Sequence, residues 1–179
     1  MAAVPPPPAS AAPHTTDGAS APAPAPALTM RHEWGWMKKA LQLGTLRCLA
    51  TGPTATHKTR CADWLSGHTR LEGGQVHCFE LACTLWRDCA ARLDALHTQW
   101  AMRAQPPAQC ADLVVVHGVE LLSPHEVAQL SYLLLDGITA RKGALNVYIE
   151  CPEAALVWYP PDELLTVCDI WATFGGLGA

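Results

Sequence analysis

The sequence predicts an α/β protein: a three-layer sandwich with a mostly parallel central sheet. Three observations carry that prediction. Short apolar runs alternate with segments of helical period along the chain, giving four or five strands. The run Ala111-Asp112-Leu113-Val114-Val115-Val116-His117-Gly118 is continuous, β-branched and flanked by helical segments, as a strand buried on both faces requires. Finally, Gly52-Pro53-Thr54-Ala55-Thr56-His57-Lys58-Thr59 lies between a strand-like and a helix-like segment. It matches the phosphate-binding pattern G-x-x-x-x-G-K-[ST] at Gly52, Lys58 and Thr59, with His57 where a glycine belongs.

Composition sets the frame. A chain of 179 residues holds one domain, and residues 1–28 are almost entirely Ala, Pro, Ser and Thr. That segment has nothing to bury, so it reads as a disordered or polyproline-like arm, and residues 29–179 as the folded α/β domain. The arm lacks the basic start and apolar run of a secretory signal, and no Arg or Lys precedes Arg31. No apolar stretch reaches the roughly 18 residues of a membrane span. An intracellular protein, in cytoplasm or nucleus, is expected. The net charge is −4 and only 16% of residues are charged, so no broad basic surface for nucleic acid is present. The eight cysteines include no C-x-x-C pair and mostly sit in apolar runs, which predicts reduced, buried thiols. His77-Cys78 with Cys83 lacks a second half for a zinc site, and no metal ligands are expected.

The elements follow in order. Residues 31–43 form a short amphipathic helix with Trp34, Met37, Ala40 and Leu41 on its apolar side. Trp34 and Trp36 fill a core edge rather than stack on a base. Cys48-Leu49-Ala50 is the strand before the loop, and Cys61, Ala62, Trp64 and Leu65 are the apolar positions of the helix after it. Glycines 67, 73 and 74 punctuate a turn into the strand 75–81. From Ala82 to Arg103, Leu85, Trp86, Cys89, Leu93, Leu96 and Trp100 recur at helical spacing, and Pro106-Pro107 end the helix. Residues 112–117 are the central strand. Ser123-Pro124-His125-Glu126 is a helix start with a serine cap, proline at the first position and glutamate at the third. Its helix runs through Val127, Leu130, Leu133 and Leu134 to Asp136-Gly137, and residues 144–150 make a fourth strand. Residues 162–173 fit either a helix or a strand plus turn.

In a strand–loop–helix context, backbone N–H groups and the helix N-terminus cradle phosphates. Gly52, Thr54, Thr56, His57, Lys58 and Thr59 are the candidate nucleotide-binding residues. Lys58 would reach the β and γ phosphates, and the Thr59 hydroxyl would complete a magnesium shell. The alternative is an ordinary turn with Lys58 solvated and Thr59 capping the helix. An aspartate expected after Leu113–Val116 is replaced by His117-Gly118-Val119-Glu120. Imidazole is a poor magnesium ligand, Gly118 cannot polarise water and Glu120 has the wrong offset. His117 reads best as a polar residue hydrogen-bonded at the sheet edge.

TGPTATHKT, VVVHGVELLSPHEVAQLSYLL and NVYIEC, in that order, resemble the P-loop NTPases of the AAA+ group, and G-P-x-x-T-x-K-T resembles the loop of viral superfamily 3 helicases. The resemblance covers residues 45–151. It implies a P-loop NTPase-like fold, with Gly52, Lys58 and Thr59 on the phosphate-loop positions. It places His117 and Gly118 where magnesium-binding and water-activating acids belong, and Asn146 in the sensor-like strand. The expected function is that of a degenerate copy: weak binding of ATP or another nucleoside triphosphate, magnesium poorly held, little or no hydrolysis. Such a chain would act with protein partners, such as related ATPase subunits, in a nucleic-acid-processing or remodelling complex, touching nucleic acid only through that complex. One alternative is a small nucleoside or nucleotide phosphotransferase using Glu80 with Arg60 or Arg141, although Arg141-Lys142 also reads as a solvated helix-end pair. The other is a ligand-free interaction module.

Overall fold

The computed structural model describes residues 35–52, 57–102, 111–152 and 162–174. The chain divides into two units, Met1–Met30 and Arg31–Ala179, and all described residues belong to the second. The expected Pro/Ala-rich arm, Trp34 and Pro106-Pro107 lie outside the described set.

Among the described residues, ten regular elements alternate: α1 (Gly35–Leu43), β1 (Arg47–Gly52), α2 (His57–Leu71), β2 (Val76–Glu80), α3 (Trp86–Met102), β3 (Asp112–His117), α4 (Pro124–Ala140), β4 (Leu145–Pro152), α5 (Asp162–Leu165) and β5 (Ile170–Thr173), with a 3-10 turn at Val119–Leu121. The strands form one sheet in the order β2-β3-β4-β1-β5. Every pairing is parallel. Because side chains alternate across a strand, each strand feeds both layers. Leu49, Phe79, Val114, Val116, Val147 and Ile149 pack with α3, α4 and α5. Cys48, Ala50, Leu113, Val115 and Tyr148 pack with α1 and α2. Strand β3 is interior, flanked by β2 and β4, as its unbroken apolar run requires.

Local chemistry explains most boundaries. The Ser123 cap closes with Glu126, whose carboxylate accepts from the Ser123 N–H at 2.7 Å while Ser123 Oγ accepts from the Glu126 N–H at 3.4 Å. The helix passes the expected stop at Gly137 and ends at Ala140. Gly137 is there for packing: a Cβ would come within 2.7 Å of the Trp100 ring on α3. The actual stop is Lys142-Gly143, both at positive φ (51° and 86°). The expected start of α3 at Ala82 is also late, at Trp86, and Leu85 is 61% exposed rather than core. The segment 162–173 proves to be both candidates in succession, a four-residue helix and then an edge strand.

The N-terminal edge of the sheet is held by polar groups buried in the fold. Asp112, 3% exposed, accepts hydrogen bonds from the Gln75 N–H and the Trp100 indole, each at 3.0 Å. Its carboxylate also faces the Arg141 guanidinium at 3.9 Å, so Arg141 is a buried partner and not a solvated helix end. Asn146, fully buried, accepts from the Leu46 N–H at 2.9 Å and donates to the Leu41 carbonyl at 3.1 Å. It fastens the α1–β1 connection to β4.

Candidate functional site at the C-terminal ends of the strands

Open α/β sheets place ligands beyond the carboxyl ends of their strands, beside neighbouring strands that are not consecutive in sequence. Here β1 has two such neighbours, β4 and β5. Strand β1 ends at Gly52, whose φ of 142° suits glycine, and a Cβ there would collide with the Phe174 carbonyl oxygen that follows β5. Thr54 and Thr56 lie outside the described residues. His57 opens α2, its side chain outside the described set.

Lys58 is buried, only 4% exposed, which rules out the solvated lysine of an ordinary turn. Its ammonium donates to the Gly52 carbonyl at 2.8 Å and to the Cys151 carbonyl at 3.2 Å, so it is seated across the ends of β1 and β4. Tyr148 holds the same turn from below, donating to the Lys58 carbonyl at 3.1 Å.

Thr59 is next. Its hydroxyl donates to the Glu150 carboxylate at 3.4 Å. Glu150 ends the apolar part of β4 at 8% exposure, and its second oxygen is buried without a hydrogen-bond partner among the described residues. The same carboxylate lies 3.1 Å from His117 Nδ1, and His117 Nε2 lies 3.5 Å from the Glu80 carboxylate. The imidazole therefore bridges two acids on neighbouring strands. Its pKa is raised above the ordinary histidine value, first by the Glu150 hydrogen bond, against an opposing effect of burial. Cys78, two residues before Glu80 and on the same face, is 3.5 Å from the Glu80 carboxylate. Burial pushes its thiol up to about 11.

Glu150 was not among the residues the sequence singled out. A charged residue closing the run Leu145-Asn146-Val147-Tyr148-Ile149 was the signal available. The sequence assigned the sensor-like strand through Asn146 instead, but that side chain is at the other end of β4. Four residues at about 3.3 Å each put it about 13 Å from Glu150. Glu120 is in the 3-10 turn after Gly118, which adopts a φ of 81°. Arg141 lies with Asp112 at the opposite edge of the sheet, away from Lys58.

The donor set does not fit a magnesium ion of the kind the P-loop resemblance implies. Magnesium demands hard oxygen ligands in octahedral array. At the end of β3 the side chains are an imidazole and none at all, and Glu150 holds His117 and Thr59 through one oxygen, leaving a single hard carboxylate oxygen where magnesium wants six.

No protein-family model matches the sequence, and a search of curated proteins found no match. Solved structures do match. The chain is similar to the replication initiator DnaA bound to AMPPCP and single-stranded DNA, at 14% identity and a TM-score of 0.50, over 76% of this chain and 43% of that one. It also matches a DNA replication initiation factor at 15% identity and a TM-score of 0.49, over 78% of this chain and 44% of that one. The match to C. elegans PCH-2 is at 18% identity and a TM-score of 0.47, over 79% of this chain and 38% of that one. The chain spans less than half the length of each of these structures. No helix among the described residues is long and apolar enough to cross a membrane. The chain has a P-loop NTPase-like α/β fold, a parallel sheet between helical layers.

Proposed function

We propose that this chain is a degenerate P-loop protein that binds a nucleoside triphosphate weakly, hydrolyses it little or not at all, and works as a subunit or regulator of a nucleic-acid-processing or remodelling complex. The observation that carries the reading is the split character of the site. On the loop side, the Lys58 ammonium is fixed between the Gly52 and Cys151 carbonyls. On the metal side, His117 is clamped between Glu80 and Glu150, and no carboxylate stands at 117 or 118.

The charges predict the strength of binding. Lys58 attracts phosphate, but Glu150 holds the Thr59 hydroxyl and places negative charge beside it. Like charge facing a triphosphate weakens it, and the His117 partner offsets only part of that. With no acid placed to orient water, the electrostatic and positioning parts of phosphoryl-transfer catalysis are missing. The DnaA structure that shares the fold holds AMPPCP and single-stranded DNA, which supports a nucleotide and a replication-type setting for this chain. The phosphotransferase reading has less support, because Arg141 is buried at the far edge with Asp112.

Calorimetric titration of ATP and ADP, with magnesium and with EDTA, tests the proposal. Weak binding of similar strength in both buffers is expected. Glu150→Gln should tighten it by removing the charge, and His57→Gly should tighten it by restoring the glycine of the motif. Lys58→Ala should abolish it, with a thermal melt run alongside because Lys58 also joins two strand ends. Absence of binding at millimolar nucleotide in all four proteins would leave an interaction module without ligand. Magnesium-dependent turnover of about 1 per second or faster, in the usual range of enzymes, would overturn the non-hydrolysing reading.

A further inference from the structure

We propose that Cys78, Glu80 and His117 form a binding site for a borderline-soft divalent cation, Zn²⁺ above all, at the C-terminal edge of β2 and β3. The inference does not depend on nucleotide binding.

Register builds the site. Glu80 and His117 are direct partners in the parallel β2–β3 pairing, and Cys78 lies two residues before Glu80, on the same face of β2. One sulfur, one nitrogen and one oxygen are thereby gathered within 4.8 Å of one another. In a tetrahedral zinc site with ordinary bond lengths, ligand atoms are separated by about 3.4–3.6 Å. The Cys78 Sγ–Glu80 and His117 Nε2–Glu80 separations are both 3.5 Å, so two of the three edges already have that length.

A second, independent observation concerns the orientation of His117. Its Nδ1 is 3.1 Å from the Glu150 carboxylate, on the side away from Glu80. A proton on Nδ1 donated to Glu150 leaves the Nε2 lone pair facing Glu80 and Cys78. A carboxylate behind a histidine is the usual outer partner of a zinc-binding imidazole, fixing its tautomer and ring plane. Mixed sulfur, nitrogen and oxygen donors select zinc and its neighbours over magnesium or calcium, which want oxygen alone. Three protein ligands leave one position open, and the site faces outward: Glu80 is exposed, and Cys78 and His117 are half-buried.

The experiment uses the full chain, stripped with EDTA and titrated with Co²⁺, whose spectrum reports both sulfur ligation and tetrahedral geometry. One equivalent should produce visible d–d absorption together with a near-ultraviolet thiolate-to-cobalt band, and one equivalent of Zn²⁺ should erase both. Cys78→Ser should remove the thiolate band, whereas Cys83→Ser, at an exposed cysteine outside the cluster, should leave it intact. Glu150→Gln should weaken zinc affinity by about 10–100-fold, as loss of an outer partner does. Circular dichroism of each variant separates lost binding from lost folding, and the wild-type titration decides the matter without any variant. No thiolate band in wild type, or a band that survives Cys78→Ser, overturns the proposal. The result also stands apart from nucleotide binding, because Glu150→Gln is expected to weaken zinc and strengthen ATP.

Discussion

Replacing Asp112 with alanine should destabilise the fold more than any surface change. The carboxylate is buried, accepts from the Gln75 N–H and the Trp100 indole N–H, and faces Arg141, whose side chain is 4% exposed. Arg141 Nε has no hydrogen-bond partner among the described residues, so Asp112 is its principal compensation there. Removing one partner of a buried ion pair costs about 3–5 kcal/mol. Each orphaned N–H adds about 1–3 kcal/mol unless water enters the space left by the carboxylate. A loss of about 4 kcal/mol or more follows, a large part of the 5–15 kcal/mol typical of a domain. At about 2–4 °C per kcal/mol for a domain of this size, the melting temperature should fall by about 8–16 °C. Thermal and urea denaturation followed by circular dichroism measure it. Arg141→Met and the double variant complete the cycle, and a coupling above about 1 kcal/mol is expected between residues in contact. A drop below 3 °C or so for Asp112→Ala would refute the reasoning, and strict additivity would refute its ionic half.

Three further outcomes follow from the same geometry. Asn146→Leu strands the Leu46 N–H and the Leu41 carbonyl, so it should cost about 2–4 kcal/mol in urea unfolding yet leave nucleotide affinity unchanged; a selective loss of nucleotide binding would return Asn146 to a sensor role. Gly52→Ala pushes a methyl group into the Phe174 carbonyl, so β5 should detach and residues 162–174 should be cut faster in limited proteolysis, with wild-type cleavage rates counting against it. Glu126 has its pKa lowered by the Ser123 backbone and side-chain hydrogen bonds. A depressed carboxylate contributes stability above its unfolded value and loses it as pH falls through the folded one. The Ser123→Ala penalty should therefore be full at neutral pH and shrink below about pH 4.5; a pH-independent penalty would exclude the Glu126 carboxylate as its cause.

What could be read from the sequence was what is local or periodic. The β3 run, the Ser123 cap and the helical spacing of Cys89, Leu93, Leu96 and Trp100 each state their own environment. Gly137 misled because a glycine that stops a helix and one that admits a neighbouring indole look alike until Trp100 is in place. Arg141 misled for a similar reason: its partner Asp112 begins β3, far from the α4 C-cap in sequence. The candidate site was half legible. Lys58 and Thr59 lie within one motif, but Cys78, Glu80, His117 and Glu150 come from three strands and meet only through register. No spacing along the chain encodes that meeting. The membership of β2 and β4 on either side of β3 had to be known first.

The position of β1 has a consequence for synthesis. It lies between β4 and β5, and the side-chain ties between the two regions span about one hundred residues, 96 from Arg47 to Gly143 and 100 from Leu46 to Asn146. At about 5–20 residues per second, a ribosome takes about 5–20 s to cover that distance. For that interval Cys48-Leu49-Ala50 has neither of its strand neighbours, β4 or β5, beside it. Strands β2, β3 and β4, by contrast, are neighbours in the order in which they emerge. They can zip as they leave the exit tunnel, each waiting only for one helix to be made. The strand order lets a nascent chain build the β2-β3-β4 ladder from one side before β1 joins at the open edge of β4 and β5 covers it.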